Sequence, residues 1–273
     1  MRILLSTANK ILGLVGLRLI SKRGWSRLLD TASDRDQLAE KQMLAQIDFG
    51  VVKVVLKSEI GPTNNDLIRY LQDIDLSHSA FRQDLIALLF NNFKEYGTFI
   101  EVGACDGIAT SNTLLLERKY SWKGLLVEPA SIWHSDLYKN RKVKIDTRCA
   151  WKTDGDLIEF VEKKSPGRSG ILETSDDATE SNDIYFVESV TLESLIAENY
   201  QLDSVDFLSV DTEGSELEVL QGFPFEKIQP SFICVEHNYN ELKRNQVRTL
   251  LAEHGYRVFL ESLSYVDDWF YKN

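Results

Sequence analysis

A chain of 273 residues with 43% hydrophobic and 10% aromatic side chains has room for one large α/β domain plus an extension, and it carries too much apolar material for wholesale disorder. Its net charge of −11 argues against nucleic acid as a main partner, because such a surface repels a phosphate backbone. Cys105, Cys149 and Cys234 are odd in number and widely spaced, which excludes a disulfide framework or a zinc site and fits a reducing, cytoplasmic location.

The first 30 residues differ from the rest. Arg2, Lys10, Arg18, Lys22, Arg23 and Arg27 face the single acid Asp30. Asn9, Lys10 and Arg18 interrupt the apolar run from Ile3 to Ile20, so no transmembrane helix is expected, and no small-residue cleavage site marks a signal peptide. Two readings stand: a helix packed on protein, which the weak pattern favours, or an amphipathic helix making peripheral contact with an anionic membrane. Residues 1–47 are predicted helical with a polar break near Thr31–Arg35. Residues 58–80 form a connector, with a Gly61-Pro62-Thr63-Asn64-Asn65 turn and a short helix at Leu67–Leu71. This divides the chain into an extension, 1–80, and a main domain, 81–273.

An amphipathic helix over 81–94 leads into the main domain. Strands are predicted at Thr98–Val102, Gly124–Val127, Val143–Ala150, Tyr185–Val190, Val205–Val210 and Ser231–Glu236. Helices are predicted at Asn112–Lys119, Ile132–Lys139, after the cap Thr191, at Ser215–Gly222 and at Glu241–His254. Tyr256–Leu260 and Tyr265–Tyr271 read as a terminal antiparallel hairpin. Lys163–Asp183, rich in Ser, Asp and Gly, reads as a long loop and a candidate substrate lid. Alternation of strand and helix implies an α/β fold with a doubly wound, mostly parallel sheet, whose ligands sit at the carboxyl ends of the strands. Glu101, Glu128, Asp211 and Glu236 all fall there.

Glu101-x-Gly103-x-x-x-Gly107 follows the first strand and precedes a helix. Its glycines permit a sharp turn and a close ligand approach. A dinucleotide fingerprint would read G-x-G-x-x-G and seat a pyrophosphate, but here Glu101 and Asp106 would repel one. Two acids suit a cofactor bearing an amine and a sulfonium, as S-adenosylmethionine (SAM) does. Glu128, at the end of the second strand, is placed to accept both ribose hydroxyls.

The sequence resembles the FkbM-type methyltransferases of the class I fold over roughly residues 80–271. The matching blocks are Arg82-Gln-Asp-Leu85, Phe99-Ile-Glu-Val-Gly-Ala-Cys-Asp-Gly107, Ser111-Asn-Thr113 and Trp122-Lys-Gly-Leu-Leu-Val-Glu-Pro129. They continue with Asp206-Phe-Leu-Ser-Val-Asp-Thr-Glu-Gly-Ser-Glu216, Val235-Glu-His-Asn-Tyr239 and Asp267-Asp-Trp269. The resemblance implies a Rossmann-like seven-stranded sheet and SAM-dependent O-methylation, often of sugars or polyketide-like hydroxyls. It implies that Glu101, Gly103, Ala104, Asp106 and Gly107 line the methionine end of the cofactor and that Glu128-Pro129 hold the ribose. Cys149 and Ala150 would flank the adenine, and Gln83 and Asn112 would join the cofactor site. Cys105 stands where many members have Asn.

O-methylation needs a positioned hydroxyl and a base. Two arrangements offer this. In the metal-free one, His237 takes the proton, with Asp211 and Glu213 on the same rim. In the other, Asp211, Glu236 and Asn238 hold Mg2+, which acidifies the hydroxyl. The first is favoured. The acids before Ser215–Gly222 also suit a helix N-terminus, so Asp211 and Glu213 have a structural reading too. The expected partner is a small-molecule or glycan acceptor. The alternatives are an NAD-dependent oxidoreductase, which the missing glycine pattern disfavours, and a catalytically inactive nucleotide-binding or scaffold protein of the same fold. Retention of Glu101, Asp106 and Glu128 speaks against the latter.

Overall fold

The computed structural model describes residues 32–57, 61–163, 169–172, 181–198 and 203–272. The chain forms two compact units, Met1–Leu76 and Ser77–Asn273. The expectation for residues 1–30 lies outside the described residues.

In the first unit, α1 (Ala32–Leu56) runs well past the expected end at 47. Ile47, Val51 and Val55 recur every fourth residue and are buried, so one apolar stripe carries the helix through its β-branched end. Helix α2 (Asn64–Gln72) opens with a capping box: the Thr63 hydroxyl accepts from the Asp66 N–H, and the Asp66 carboxylate accepts from the Thr63 N–H. The Tyr70 hydroxyl donates to Asp48 at 2.7 Å, tying the two helices together.

The second unit opens with α3 (Gln83–Phe90), shorter than the predicted 81–94 because Asn92 and Phe93 turn left-handed after it. Then follow β1 (Thr98–Val102), α4 (Leu114–Tyr120), β2 (Lys123–Val127), α5 (Ser131–Asn140), β3 (Lys144–Asp146) and β4 (Cys149–Ala150). Next come β5 (Leu157–Lys163), β6 (Gly170–Ile171), β7 (Ser181–Val190), α6 (Leu192–Glu198), β8 (Phe207–Val210), α7 (Glu216–Gln221) and β9 (Phe232–Glu236). The unit closes with α8 (Glu241–Glu253), β10 (Arg257–Phe259) and β11 (Asp267–Tyr271).

Seven strands form one sheet in the order β10-β11-β9-β8-β1-β2-β3. The run from β3 to β9 is parallel, while β11 lies antiparallel between β9 and β10. Ile100, Val102, Leu208, Val210, Ile233 and Val235 point into a core with Leu195, Leu220 and Leu251 of α6, α7 and α8. On the opposite face Phe90 of α3 stacks on Phe232 at 5.4 Å. Helices therefore cover both faces, as the alternation in the sequence requires. Because β1 pairs with both β2 and β8, strand order reverses beside it. The cleft at its carboxyl end is the place such a sheet offers a ligand.

Two expectations are corrected. The predicted strand Val143–Ala150 is broken: the Asp146 carboxylate accepts from the Arg148 N–H at 2.9 Å and turns the chain. Its second half, β4, leaves the main sheet to pair with β7 in a second sheet of order β4-β7-β5-β6. The expected strand Tyr185–Val190 thus belongs to this second sheet, as does β5, which was not foreseen. Of the expected lid loop, residues 169–172 carry β6, while 164–168 and 173–180 lie outside the described residues.

Candidate functional site

The loop after β1 is held from inside the protein. Gly103 has φ +85, and a Cβ there would lie 1.8 Å from the Asp211 carbonyl oxygen. Gly107 has φ +76, and its Cβ would meet Arg141 and Leu137 below 3 Å. These glycines therefore let β1 and β8 close on each other and let the loop settle on α5. That is a packing reason beside the ligand approach expected of them.

Glu101 is buried and spent on the same loop. It accepts from the Ser111 hydroxyl, the Asn112 N–H at 2.7 Å and the Thr113 hydroxyl, with Arg141 at 3.5 Å. Asp106 accepts from the N–H groups of Ile108 and Ala109, both at 2.8 Å. Both acids expected at the methionine end thus shape the loop. Glu101, Ala104, Asp106 and Gly107 line neither of the two cavities described next.

The first cavity is a slot of about 50 Å³ lined by Gly103, Glu128, Pro129, Cys149, Ala150 and Asp211, with Phe160 and Ile171 of the second sheet as apolar walls. Each Glu128 oxygen takes one backbone N–H, from Cys105 and from Ala130, both at 2.8 Å. Each oxygen keeps a lone pair for a hydroxyl, as ribose binding needs. Burial is the main force pushing this carboxyl up to about 7. Cys105 holds its N–H toward Glu128 with φ 46, a backbone region in which asparagine is enriched.

The second cavity, about 170 Å³, is lined by Gln83, Asn112, Asp211, Glu236, Asp267 and neighbours. Asp211 lines both cavities. It is closely surrounded by protein, yet its side chain opens onto solvent through the cleft. Burial drives the Asp211 and Glu236 carboxyls upward, and they form a hydrogen-bonded pair that holds a proton. Asp267 stands directly opposite Glu236 across the β9–β11 ladder. Like charges in that register are destabilising and mark a site under functional demand. Its hydrogen bonds from Gln83, Cys234 and Trp269 all fall on Oδ2. The Asn112 Oδ1 and Glu236 Oε2 atoms are buried without a hydrogen-bond donor.

The remaining candidates are placed differently. His237, the expected base, lines neither of these cavities but a third, smaller one, with Glu236, Lys243, Arg244 and Asp268. Its Nδ1 accepts from the Tyr239 N–H at 2.9 Å, and its Nε2 faces the Asp268 carboxylate at 3.9 Å. Burial, then Arg244, lowers its pKa, so it is a neutral support for the 237–240 loop. Asn238 is exposed and donates to Glu213 at 3.3 Å. The carboxylates that converge are instead Asp211, Glu213 and Glu236, with one oxygen of each within 4.8 Å of the others. Sequence reasoning gave Asp267 and Arg141 no role. An acid inside the terminal strand, and an arginine just past a helix, were the signals.

The lining of the first cavity suits the adenosine half of SAM in its chemistry, with Glu128 for its ribose and apolar walls for its base, and the slot of about 50 Å³ must widen to admit it. The orphan acceptors Asn112 Oδ1 and Glu236 Oε2 in the second fit its ammonium group. A parallel sheet of this order, ending in an antiparallel hairpin and carrying acids at the β1, β2 and β8 ends, defines a class I methyltransferase. The sequence matches the family model of the methyltransferase FkbM domain over residues 101–258, more than half of the chain. The chain belongs to this family, and SAM is the cofactor the family implies. Among solved structures, the chain is similar to precorrin-6y C5,15-methyltransferase from Geobacter metallireducens GS-15, at 10% identity, TM-score 0.39, with 66% of this chain and 73% of that one covered. It is also similar to the CurJ carbon methyltransferase, at 11% identity, TM-score 0.38, with 93% of this chain and 70% of that one covered. A comparison with curated proteins finds no match.

Proposed function

We propose that this chain is a SAM-dependent O-methyltransferase acting on a hydroxyl of a small molecule, a sugar or glycan precursor, with Asp211 as the base. One observation carries the reading: Asp211 lines both the nucleotide slot and the adjoining acidic cavity, next to Glu236. SAM supplies the methyl group. Glu128 orients the ribose, Asn112 and Glu236 hold the ammonium group, and Asp211 receives the hydroxyl proton as the oxygen attacks. A carboxylate with a raised pKa is a stronger base than a free one, which suits proton transfer near neutral pH. In this reading the basic segment 1–30 keeps the enzyme near an anionic membrane surface.

Calorimetry with SAM, S-adenosylhomocysteine and NAD tests the cofactor: the first two bind and NAD does not. Transfer from labelled SAM to a panel of hydroxyl compounds tests the chemistry. Asp211→Asn lowers kcat by roughly 10²–10⁴-fold, the usual worth of a general base. Transfer undiminished in this variant would assign the base elsewhere.

A second reading rests on the convergence of Asp211, Glu213 and Glu236. These three would hold a divalent cation such as Mg2+, which lowers the pKa of a coordinated hydroxyl. Loss of transfer with a chelator and recovery with Mg2+ would select this reading over the metal-free one.

A further inference from the structure

Helix α5 starts directly after Glu128-Pro129, and its own sequence supplies no cap. The N-cap residue is Ala130, which has no side-chain oxygen to accept from the free N–H groups of the first turn. The second sheet supplies the acceptors instead. The Ser131 N–H donates to the Tyr185 hydroxyl of β7 at 3.0 Å, and the Ile132 N–H donates to Glu162 Oε2 of β5 at 3.3 Å. The Ser131 hydroxyl donates to the same Glu162 oxygen at 3.1 Å. The Tyr185 hydroxyl has one proton to give, and it reaches Glu162 at 2.9 Å and the Pro129 carbonyl at 3.3 Å. A carboxylate at this end of a helix is also favoured by the helix dipole.

The place of these contacts matters. Glu128 Oε1 accepts from the Ala130 N–H at 2.8 Å, and His134 Nε2 lies 2.9 Å from the Glu128 carbonyl oxygen. The backbone that opens α5 therefore sets where the Glu128 carboxylate stands. The strands that cap this backbone also wall the slot. Phe160 of β5 lines it, and its ring meets the Tyr185 ring at 5.7 Å. Phe160, Ile171, Ala130 and Cys149 share one buried cluster, with Tyr185 and Trp133 packed against it.

Resting on the reading above, we propose that Tyr185 and Glu162 are positioning residues for the cofactor: by capping α5 from the second sheet, they hold the Glu128-Pro129-Ala130 turn where the ribose needs it. Neither residue meets the reacting atoms. Preference for a ribose over a deoxyribose then depends on two side chains that act through Glu128.

The test is calorimetry on the full chain with S-adenosylhomocysteine and its 2′-deoxyribose analogue. In the unaltered chain the missing hydroxyl weakens binding by roughly ten- to a hundredfold, the worth of a hydrogen bond to a charged group. Tyr185→Phe and Glu162→Ala each weaken S-adenosylhomocysteine binding by about fivefold, the worth of a lost cap, and narrow the ratio between the two ligands by a similar factor. Glu162→Gln keeps an acceptor oxygen and stays within about twofold of the unaltered chain. The ratio separates positioning from stability, because a variant that only loosens the fold weakens both ligands alike. If Tyr185→Phe does not fold, the Glu162→Ala and Glu162→Gln pair reads the same contact. An unchanged ratio in the folded variants, or a glutamine as damaging as the alanine, overturns the proposal and leaves the cofactor reading standing. Equal binding of the two ligands by the unaltered chain removes Glu128 as the ribose acid, and the proposal with it. Failure to bind S-adenosylhomocysteine at all overturns the methyltransferase reading itself.

Discussion

At Gly103 a single methyl group would lie 1.8 Å from the Asp211 carbonyl oxygen, and the backbone there already has φ +85. Gly103→Ala therefore costs about 3 kcal/mol or more, from the left-handed backbone and the overlap together. Urea unfolding measures it, and cofactor affinity falls with it. Asp211 makes the opposite trade. Burial, opposed in part by the hydrogen bond with Glu236, holds its pKa above the ordinary 3.8. An acid whose folded pKa is raised stabilises the fold while protonated, and that stability is lost as pH rises through the folded pKa. Asp211→Asn keeps the shape without the charge. It should raise the melting temperature by a few degrees at pH 8, the gain shrinking toward pH 4, while activity is lost. The Glu128 carboxyl is raised in the same direction, but here the charged form is the one that binds, so affinity for the ribose should rise with pH through about 7. Calorimetric titrations with S-adenosylhomocysteine from pH 6 to 8 check this.

Among the elements, the β1–α4 connection depends on a residue far along the chain. Arg141, just past α5, is fully buried and donates to Glu117, Gly107, Ser111 and Thr113. Arg141→Met would leave the buried Glu101 and the half-buried Glu117 without their cation. Breaking a buried pair from one side costs about 3–5 kcal/mol. Thermal unfolding should show that loss together with weakened cofactor binding, since Arg141 anchors the loop that carries Cys105. The strand–helix alternation of the sequence made the parallel strands legible. The second sheet was harder to see. In β5, Ile158 and Phe160 alternate with Glu159, a strand signal, but the strand is paid for only by partners in β6 and β7. The break between β3 and β4 depends on Asp146 finding the Arg148 N–H, a competition that hydrophobic pattern does not express.

For the whole molecule, the described residues include no helix long and apolar enough to cross a membrane. We propose, from its charge alone, that the basic segment 1–30 makes electrostatic, peripheral contact with an anionic surface. Co-sedimentation with anionic vesicles should fall when residues 1–30 are removed and when salt is raised. Equal sedimentation of the two chains would leave the segment as a packing element. The fold also explains why carboxyls crowd one cleft in a chain of net charge −11. The parallel strands β1, β2, β8 and β9 all run the same way, so Glu101, Glu128, Asp211 and Glu236 arrive at one edge.

By itself, the sequence determined the main parallel sheet, the family and the acids at the strand ends, because these follow from hydrophobic period, strand length and contiguous motifs. Only the tertiary structure decided how those acids divide. Glu101 and Asp106 turn inward to hold the loop, while Glu128 and Asp211 face the cleft. His237, adjacent in sequence to Glu236, lines only the neighbouring small cavity, whereas Glu236 lines both that cavity and the one shared with Asp211. Asp267 joins the site only because β11 inserts beside β9, a pairing across 31 positions of the chain that no local signal contains.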